Sequence, residues 1–290
     1  MPSLKHVKRR ISSVRSTKQI TKAMDLVAAS KLYRFKPLLK SARELFKGAR
    51  ETIADAASFP EAGASLYAAA QKGKSPVTDV AYIVISSDRG LCGGYNSSIA
   101  KLAIAHMKER GCDEQIIAIG ARGANFLLRQ GKNVVKGRYG MPVPPSYGQA
   151  QEVAARVLEG YMSGLYGEVY IAFTRFINTV TYEPEVVKLL PIDTAPENAP
   201  LRSPVGEVLY EPSPASFLDS AVPTYLEMVI YGAMAEAAIC EQAARVVSMS
   251  AATRNAQEII DKLTLSYNRT RQALITQEIT EIVSGANALQ

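Results

Sequence analysis

The residues of this chain best suited to chemistry are a glycine-rich turn, three cysteines and two histidines. The turn SSDRGLCGGYN runs from Ser86 to Asn96. It follows an apolar run and precedes a helical pattern, where phosphate loops occur because N–H groups at a helix start attract anions. Its spacing is neither G-x-G-x-x-G nor G-x-x-x-x-G-K-[ST], and no acidic residue follows where a ribose would need one. A tight structural turn is the favoured reading and a nucleotide loop the alternative. Asp88 and Arg89 are placed for a local ion pair. His6 and His106 lie far apart, and Cys92, Cys112 and Cys240 have no C-x-x-C spacing. Neither a metal site nor a Ser/His/Asp triad can be built from them. The cysteines read as small buried residues of a reducing compartment. With no catalytic, cofactor or metal constellation in 290 residues, the sequence points to a mechanical or binding role.

The elements around the turn predict an α/β segment. Val77–Ser86 reads as a buried strand, followed by a helix from about Ser97 to Arg110 and a strand at Gln115–Ile119. A helix near Arg122–Gln130, a short strand at Asn133–Lys136 and a helix over Gln149–Tyr166 come next. Glu168–Asn178 and Val186–Pro191 look like paired strands. Strands alternating with helices imply a partly parallel, Rossmann-like sheet. Residues 58–76 lack a period and read as a mobile connection, and Asp193–Pro214 reads as loop.

Two longer patterns flank this segment. One runs from about Leu4 to Ala57, after an N-cap at Ser3. Leu4, Val7, Ile11 and Val14 open a seam that breaks at Lys18 and resumes through Ile20, Met24 and Val27. It continues through Leu32, Phe35, Leu39, Ala42, Phe46, Ala49, Ile53 and Ala56 at steps of three and four. Pro37 inside it predicts a kink. The other pattern runs from about Phe217 to Asn287, after a cap at Ser213 with Pro214 in the first turn. Pro223 is placed to bend its start. Its seam is Val246, Met249, Thr253, Ala256, Ile260, Leu263, Tyr267, Thr270 and Leu274. At a rise of about 1.5 Å per residue the two helices span on the order of 80 and 105 Å. A compact domain of this length is only about 45 Å across. The fold class expected is therefore α/β, with two long terminal helices forming an antiparallel coiled coil and a Rossmann-like head inserted between them. The division expected is 1–57, 58–212 and 213–290.

Composition fits one or two domains with a real core: 47% of residues are hydrophobic and 21% charged. No apolar run approaches the roughly 18 residues that span a bilayer, and no signal peptide is visible. The Arg/Ser-rich start could mimic a transit peptide, but the helical pattern already begins at Leu4. Net charge is +7, unevenly placed. Residues 1–50 hold 14 Lys/Arg against Asp25 and Glu44, so +12; residues 214–290 hold five Lys/Arg against eight Asp/Glu, so −3. The first helix keeps a surplus that must face water or an acidic partner. A nucleic-acid surface is the rival reading, but no aromatic residues interleave for stacking.

Five stretches decide between these readings. TKQITKAMDLVAASKL (Thr17–Leu32), SSDRGLCGGYN, FINT (Phe176–Thr179), EQAARVVSMSAATRNA (Glu241–Ala256) and YNRTRQALITQEITEIVSGA (Tyr267–Ala286) resemble the gamma subunit of F-type ATP synthases. They fall in the right order and reach from the first helix through the head to the last. The resemblance is to bacterial members, without the cysteine-bearing insertion of the chloroplast protein. It implies a non-catalytic central rotor shaft without cofactors. The implied partners are three alpha and three beta subunits, the epsilon subunit and the membrane rotor c-ring. The implied place is the cytoplasmic face of the bacterial cell membrane, as a peripheral protein.

The resemblance also implies site residues. Met24 matches the position facing an acidic lever segment of a beta subunit, with Lys18 and Lys22 sharing that contact. Arg271, Gln272, Thr276, Glu278 and Glu281 match polar residues that grip alpha and beta loops. Ile279–Ala286 resembles a tip turning in an apolar sleeve. Pro37 departs from the uninterrupted helix of many members. The rival reading, a basic coiled-coil nucleic-acid or scaffold protein, gives no reason for the acid-containing C-terminal stretch.

Overall fold

A computed structural model describes residues 4–68, 79–111, 114–135, 139–194 and 210–288. In chain order the elements are α1 (Leu4–Ala57), β1 (Val80–Ile85), α2 (Tyr95–Arg110), β2 (Glu114–Ile119), α3 (Ala121–Arg129), α4 (Tyr147–Met162), β3 (Glu168–Phe176), β4 (Tyr182–Leu190) and α5 (Pro214–Ala288). Contacts divide the chain into two compact units, Ser30–Ala244 and Met1–Ala29 with Arg245–Gln290. The expected cap at Ser3 lies outside the described residues.

In the unit Ser30–Ala244 the sheet order is β2-β1-β3-β4, with β1 parallel to β2 and β3, and β4 antiparallel to β3. The parallel pairs need crossovers, which α2 and then α3 with α4 supply. All six residues of β1 are buried, so both sheet faces are covered. Ala81, Ile83 and Ile85 point into a core shared with α4 and with the parts of α1 and α5 in this unit. Val80, Tyr82 and Val84 point the other way, onto α2 and α3. The period of two along the strand assigns each side chain to one layer.

Several boundaries differ from the sequence reading for local reasons. β4 starts at Tyr182 rather than Val186 although it contains Pro184. It is an edge strand, where a proline costs no ladder partner. The Phe176–Tyr182 turn is closed by Asn178, whose Oδ1 accepts from the N–H groups of Val180 (2.9 Å) and Thr181 (2.7 Å). α4 stops at Met162, not Tyr166. Gly164 takes a positive φ of 77° and Leu165 N–H returns to the Gly160 carbonyl. Tyr166 then lies so close over Gly160 that a Cβ there would be 2.2 Å from its ring. The strand expected at Asn133–Lys136 is reduced to one bridge, Val134 with Ile116, and Lys136 is outside the described residues.

The expected mobile connection is packed where it is described. Pro60–Ala64 forms a 3-10 turn, and Ala62, Ser65, Tyr67 and Ala68 are buried. Asp219 of α5 holds it by accepting from Ser65 Oγ (2.6 Å) and Leu66 N–H (2.9 Å). Residues 69–76 and 195–209 of the two expected loops, and the first two residues of the strand expected at Val77–Ser86, are outside the described residues. Neither Pro37 nor Pro223 ends its helix. Pro37 and Tyr33, whose carbonyl it leaves without a helical donor, both lie on the exposed side of α1. Ser213 caps α5 as expected, its Oγ accepting from Ser216 N–H at 3.2 Å.

In the other unit, α1 and α5 run antiparallel. Lys18 pairs with Gln257 and Thr21 with Thr253, so rising numbers on one helix meet falling numbers on the other. Val7 and Ile11 bury against Ile260, with Val14, Leu263 and Tyr267 packed around them.

Candidate partner-binding surface

The seam of this helical pair corrects the sequence reading. Ile20, Met24 and Val27 were expected inside, yet they are 58%, 38% and 56% exposed. Lys18, Thr21 and Asp25 are half-buried and Ala28 is buried in their place. The positions 14, 18, 21, 25, 28 and 32 keep steps of three and four, so the heptad never breaks; it turns polar. The polar positions are satisfied across the pair. Lys18 Nζ donates to Gln257 Oε1 at 2.5 Å, and Gln257 Nε2 donates to Asp261 Oδ1 at 2.7 Å. Thr253 Oγ1 donates to Thr21 Oγ1 at 2.8 Å, while both threonines sit in the seam.

The first group of candidate residues therefore divides. Lys18 is committed to Gln257. Lys22 is exposed and, with Arg15 and Lys18, lines an open groove whose other wall is Gln257, Asp261 and Thr264. Met24 stands on the exposed side, where Ile20 and Val27 extend it into an apolar stripe at i−4 and i+3. Gln257 and Thr253 were missed as partners. The signal was there: continuing the three-four steps through Lys18 reaches Ala28 and Leu32 without a break.

The second group lies on the last part of α5. Residues paired across the helices sum to about 275, so Leu4 lies opposite about 271 and the described α1 reaches no further. Beyond that point Arg271, Gln272, Thr276, Glu278 and Glu281 are all exposed. Leu274, expected in the seam, is exposed too; the position facing it falls among residues 1–3, outside the described residues. At about 100° per residue, Arg271 and Glu278 share one face of the helix, with Glu281 about 60° to their side. Gln272 and Thr276 share another. Ile275, Ile279 and Ile282 project between the two, 47%, 56% and 72% exposed. Glu281 already accepts from Gln277 Nε2 at 2.8 Å, and the Thr276 carbonyl accepts from Thr280 Oγ1 at 2.8 Å. This tail offers polar groups of both signs along an apolar stripe.

The glycine-rich turn is closed by the protein itself. Asp88 makes no ion pair with Arg89; its carboxylate accepts from Ala121 N–H (2.9 Å) and Met141 N–H (2.8 Å). Ser86 Oγ accepts from Gly123 N–H at 3.0 Å, and the Ser87 carbonyl from Arg122 N–H at 3.0 Å. These bonds tie the turn to the start of α3, the helix that follows β2. The two described cysteines are buried. Burial, and then the neighbouring Glu236, pushes the Cys240 thiol up, so it stays protonated and inert. His106 Nδ1 meets Tyr82 Oη at 2.8 Å and its ring packs on Tyr170. Among the described residues no cluster of His, Cys, Asp and Glu could hold a metal ion, and no helix is long and apolar enough to cross a membrane.

A family model described as ATP synthase matches residues 3–289. A gamma chain of ATP synthase from Pelotomaculum thermopropionicum is 40% identical over 290 residues, covering all of both chains. One from Alkaliphilus metalliredigens is 42% identical over 99% of each. A sodium ion specific gamma chain from Acetobacterium woodii is 38% identical, also over 99% of each. Among solved structures, a chain of the Euglena gracilis mitochondrial ATP synthase superposes with a TM-score of 0.68 at 17% identity, over 99% of this chain and 94% of that one. A chain of the Tetrahymena thermophila central stalk and c-ring assembly gives 0.56 at 23% identity, over 80% and 99%. At these identities the structures establish a shared fold.

Proposed function

Because the chain belongs to the ATP synthase family as a gamma chain, we propose that its exposed α5 tail and the exposed side of α1 are the surfaces through which it works as rotor shaft. The protein is a non-catalytic subunit. Its work is to carry torque between a membrane ring and a ring of three alpha and three beta subunits, beside an epsilon subunit. The functional division is a head of residues 58–212 between helices 1–57 and 213–290. The place of action is the cytoplasmic face of the bacterial membrane, reached only through the complex.

The observation that carries this reading is the tail: a helix that keeps its form past the last described facing residue and leaves Arg271, Gln272, Thr276, Glu278 and Glu281 exposed. A shaft selects among conformations of the surrounding subunits by differential contact: it favours one state at one angle and another at the next. Such contacts must be modest, about 1–3 kcal/mol each when charge-assisted, or rotation would stall. Met24 and Lys22 serve the same purpose on α1, facing an acidic segment, while Lys18 acts through Gln257.

The test is reassembly of the complex with Arg271→Ala or Gln272→Ala. We expect weaker assembly or slower ATP synthesis, with the helicity of the isolated chain unchanged. Wild-type assembly, synthesis and hydrolysis for both variants would remove these residues from the contact surface.

A further inference from the structure

A cleft in the unit Ser30–Ala244 has no part in the proposed rotor contacts. It opens between α1, the β3–β4 hairpin and α5, and encloses about 180 Å³. Its floor is apolar: Phe46, Ile171, Phe173, Val187, Val229 and Ala233. An apolar cavity of about 150 Å³ suffices for a benzene-sized ligand. The charged rim is largely spoken for. Arg43 Nε pairs with Glu236 Oε1 at 2.9 Å and its Nη2 donates to the Phe176 carbonyl. Arg175 is shared between Glu183 (3.2 Å) and Glu185 (3.3 Å). Arg50 remains. Among the described residues it has no carboxylate at ion-pair distance, although it lines the cleft. The wall nearest α5 holds Gly232, where an added Cβ would meet no atom within 4 Å. A glycine inside a helix costs about 0.8–1 kcal/mol relative to alanine; here it keeps the space open.

We propose that this cleft binds a small monocarboxylate with a compact apolar body, of the aromatic-acid class, its ring on the Phe46–Phe173 floor and its carboxylate on Arg50. Volume sets the size of the body, and the one guanidinium of the rim without an ion pair among the described residues, near Tyr225, sets the charge. A guanidinium matches a carboxylate with two parallel N–H donors.

The test is titration of the full chain with phenylacetate, followed by calorimetry and by the amide resonances of residues 229–236. Toluene and acetate serve as the apolar and charged halves of the probe. Saturable binding of phenylacetate is expected, tighter than either half. Arg50→Gln should raise the Kd about tenfold or more while leaving toluene unaffected. Gly232→Leu, which fills the cleft and favours the helix, should abolish binding of both with helicity retained. Absence of a saturable response to phenylacetate overturns the proposal. So does an unchanged Kd in Arg50→Gln or in a folded Gly232→Leu. Toluene binding as tightly as phenylacetate overturns it in favour of a purely apolar cavity.

Discussion

Ser86 Oγ stands beneath the first turn of α3, accepting from Gly123 N–H and lying 3.1 Å from the carbonyls of Ile119 and Gly120. So close an approach leaves no space for a side chain: a Cβ on Gly120 would be 2.3 Å from the Ser86 carbonyl oxygen, at a φ of +95°. Gly120→Ala is therefore expected to destabilise the chain by about 2–4 kcal/mol, read by chemical denaturation; a loss under 1 kcal/mol would mean that the strand end yields. The sequence showed a structural turn here, since no phosphate motif fits. It could not show where Asp88 points, because its partners Ala121 and Met141 lie 33 and 53 residues away. Tyr161 allows a second prediction at this scale. Burial, and then the neighbouring Tyr67, pushes its pKa up to about 12, against about 10 when unfolded. Its neutral form is favoured in the fold, so the contribution is complete below pH 10 and is lost as pH rises to 12. Tyr210, also held near 12 by burial and then by its bond to Asp55, adds to the same window. Tyr161→Phe should flatten part of the alkaline fall in stability between pH 10 and 12. An equally steep fall would assign it elsewhere.

At the scale of elements, periodicity located every long helix and every strand of the sheet, because each buries a face that the pattern marks. It failed where polar residues occupy buried positions. Lys18, Thr21 and Asp25 continue a heptad that apolar counting takes for broken, since a threonine or lysine scores as surface until its partner is known. The Thr21–Thr253 and Lys18–Gln257 pairs fix the register of the two helices at the expense of apolar burial. Thr21→Val alone strands the Thr253 hydroxyl only partly, since that group also reaches the Met249 carbonyl at 2.8 Å. A double-mutant cycle with Thr253→Val should give a coupling of about 0.5–1.5 kcal/mol, with the double variant close to wild type. Additive single effects would show that the two hydroxyls do not act together. The edge strand β4 likewise starts four residues before the expected Val186 and takes in Pro184, which a central strand would not accept but an edge does.

For the whole molecule, charge and exposure say more than the core does. The first 50 residues carry a surplus of +12, and the last helix −3. The helical pair satisfies only a few of these charges, so most of the surplus is left for other surfaces. The proposed partner-binding role of Arg271 and Gln272 rests on the resemblance of long motifs, because an exposed residue of either type looks in isolation like any solvated helix residue. The end of α5 separates folding from function most sharply. Ile279, Ile282 and Val283 are 56%, 72% and 52% exposed, so they bury little within this chain and contribute little to its stability. Three large apolar residues kept in water at the end of a helix are costly to solubility unless another surface covers them. Deleting residues 279–290 should accordingly leave the thermal unfolding midpoint of the isolated chain within about 2 °C, a shift that corresponds to about 1 kcal/mol for a chain of this length. The same deletion should lower ATP synthesis by the reassembled complex severalfold, because the covering contacts are lost only there. Calorimetry of the chain and synthesis assays of the complex read the two effects separately. A large fall in the midpoint would show that the tail belongs to the fold, and undiminished synthesis would show that nothing grips it.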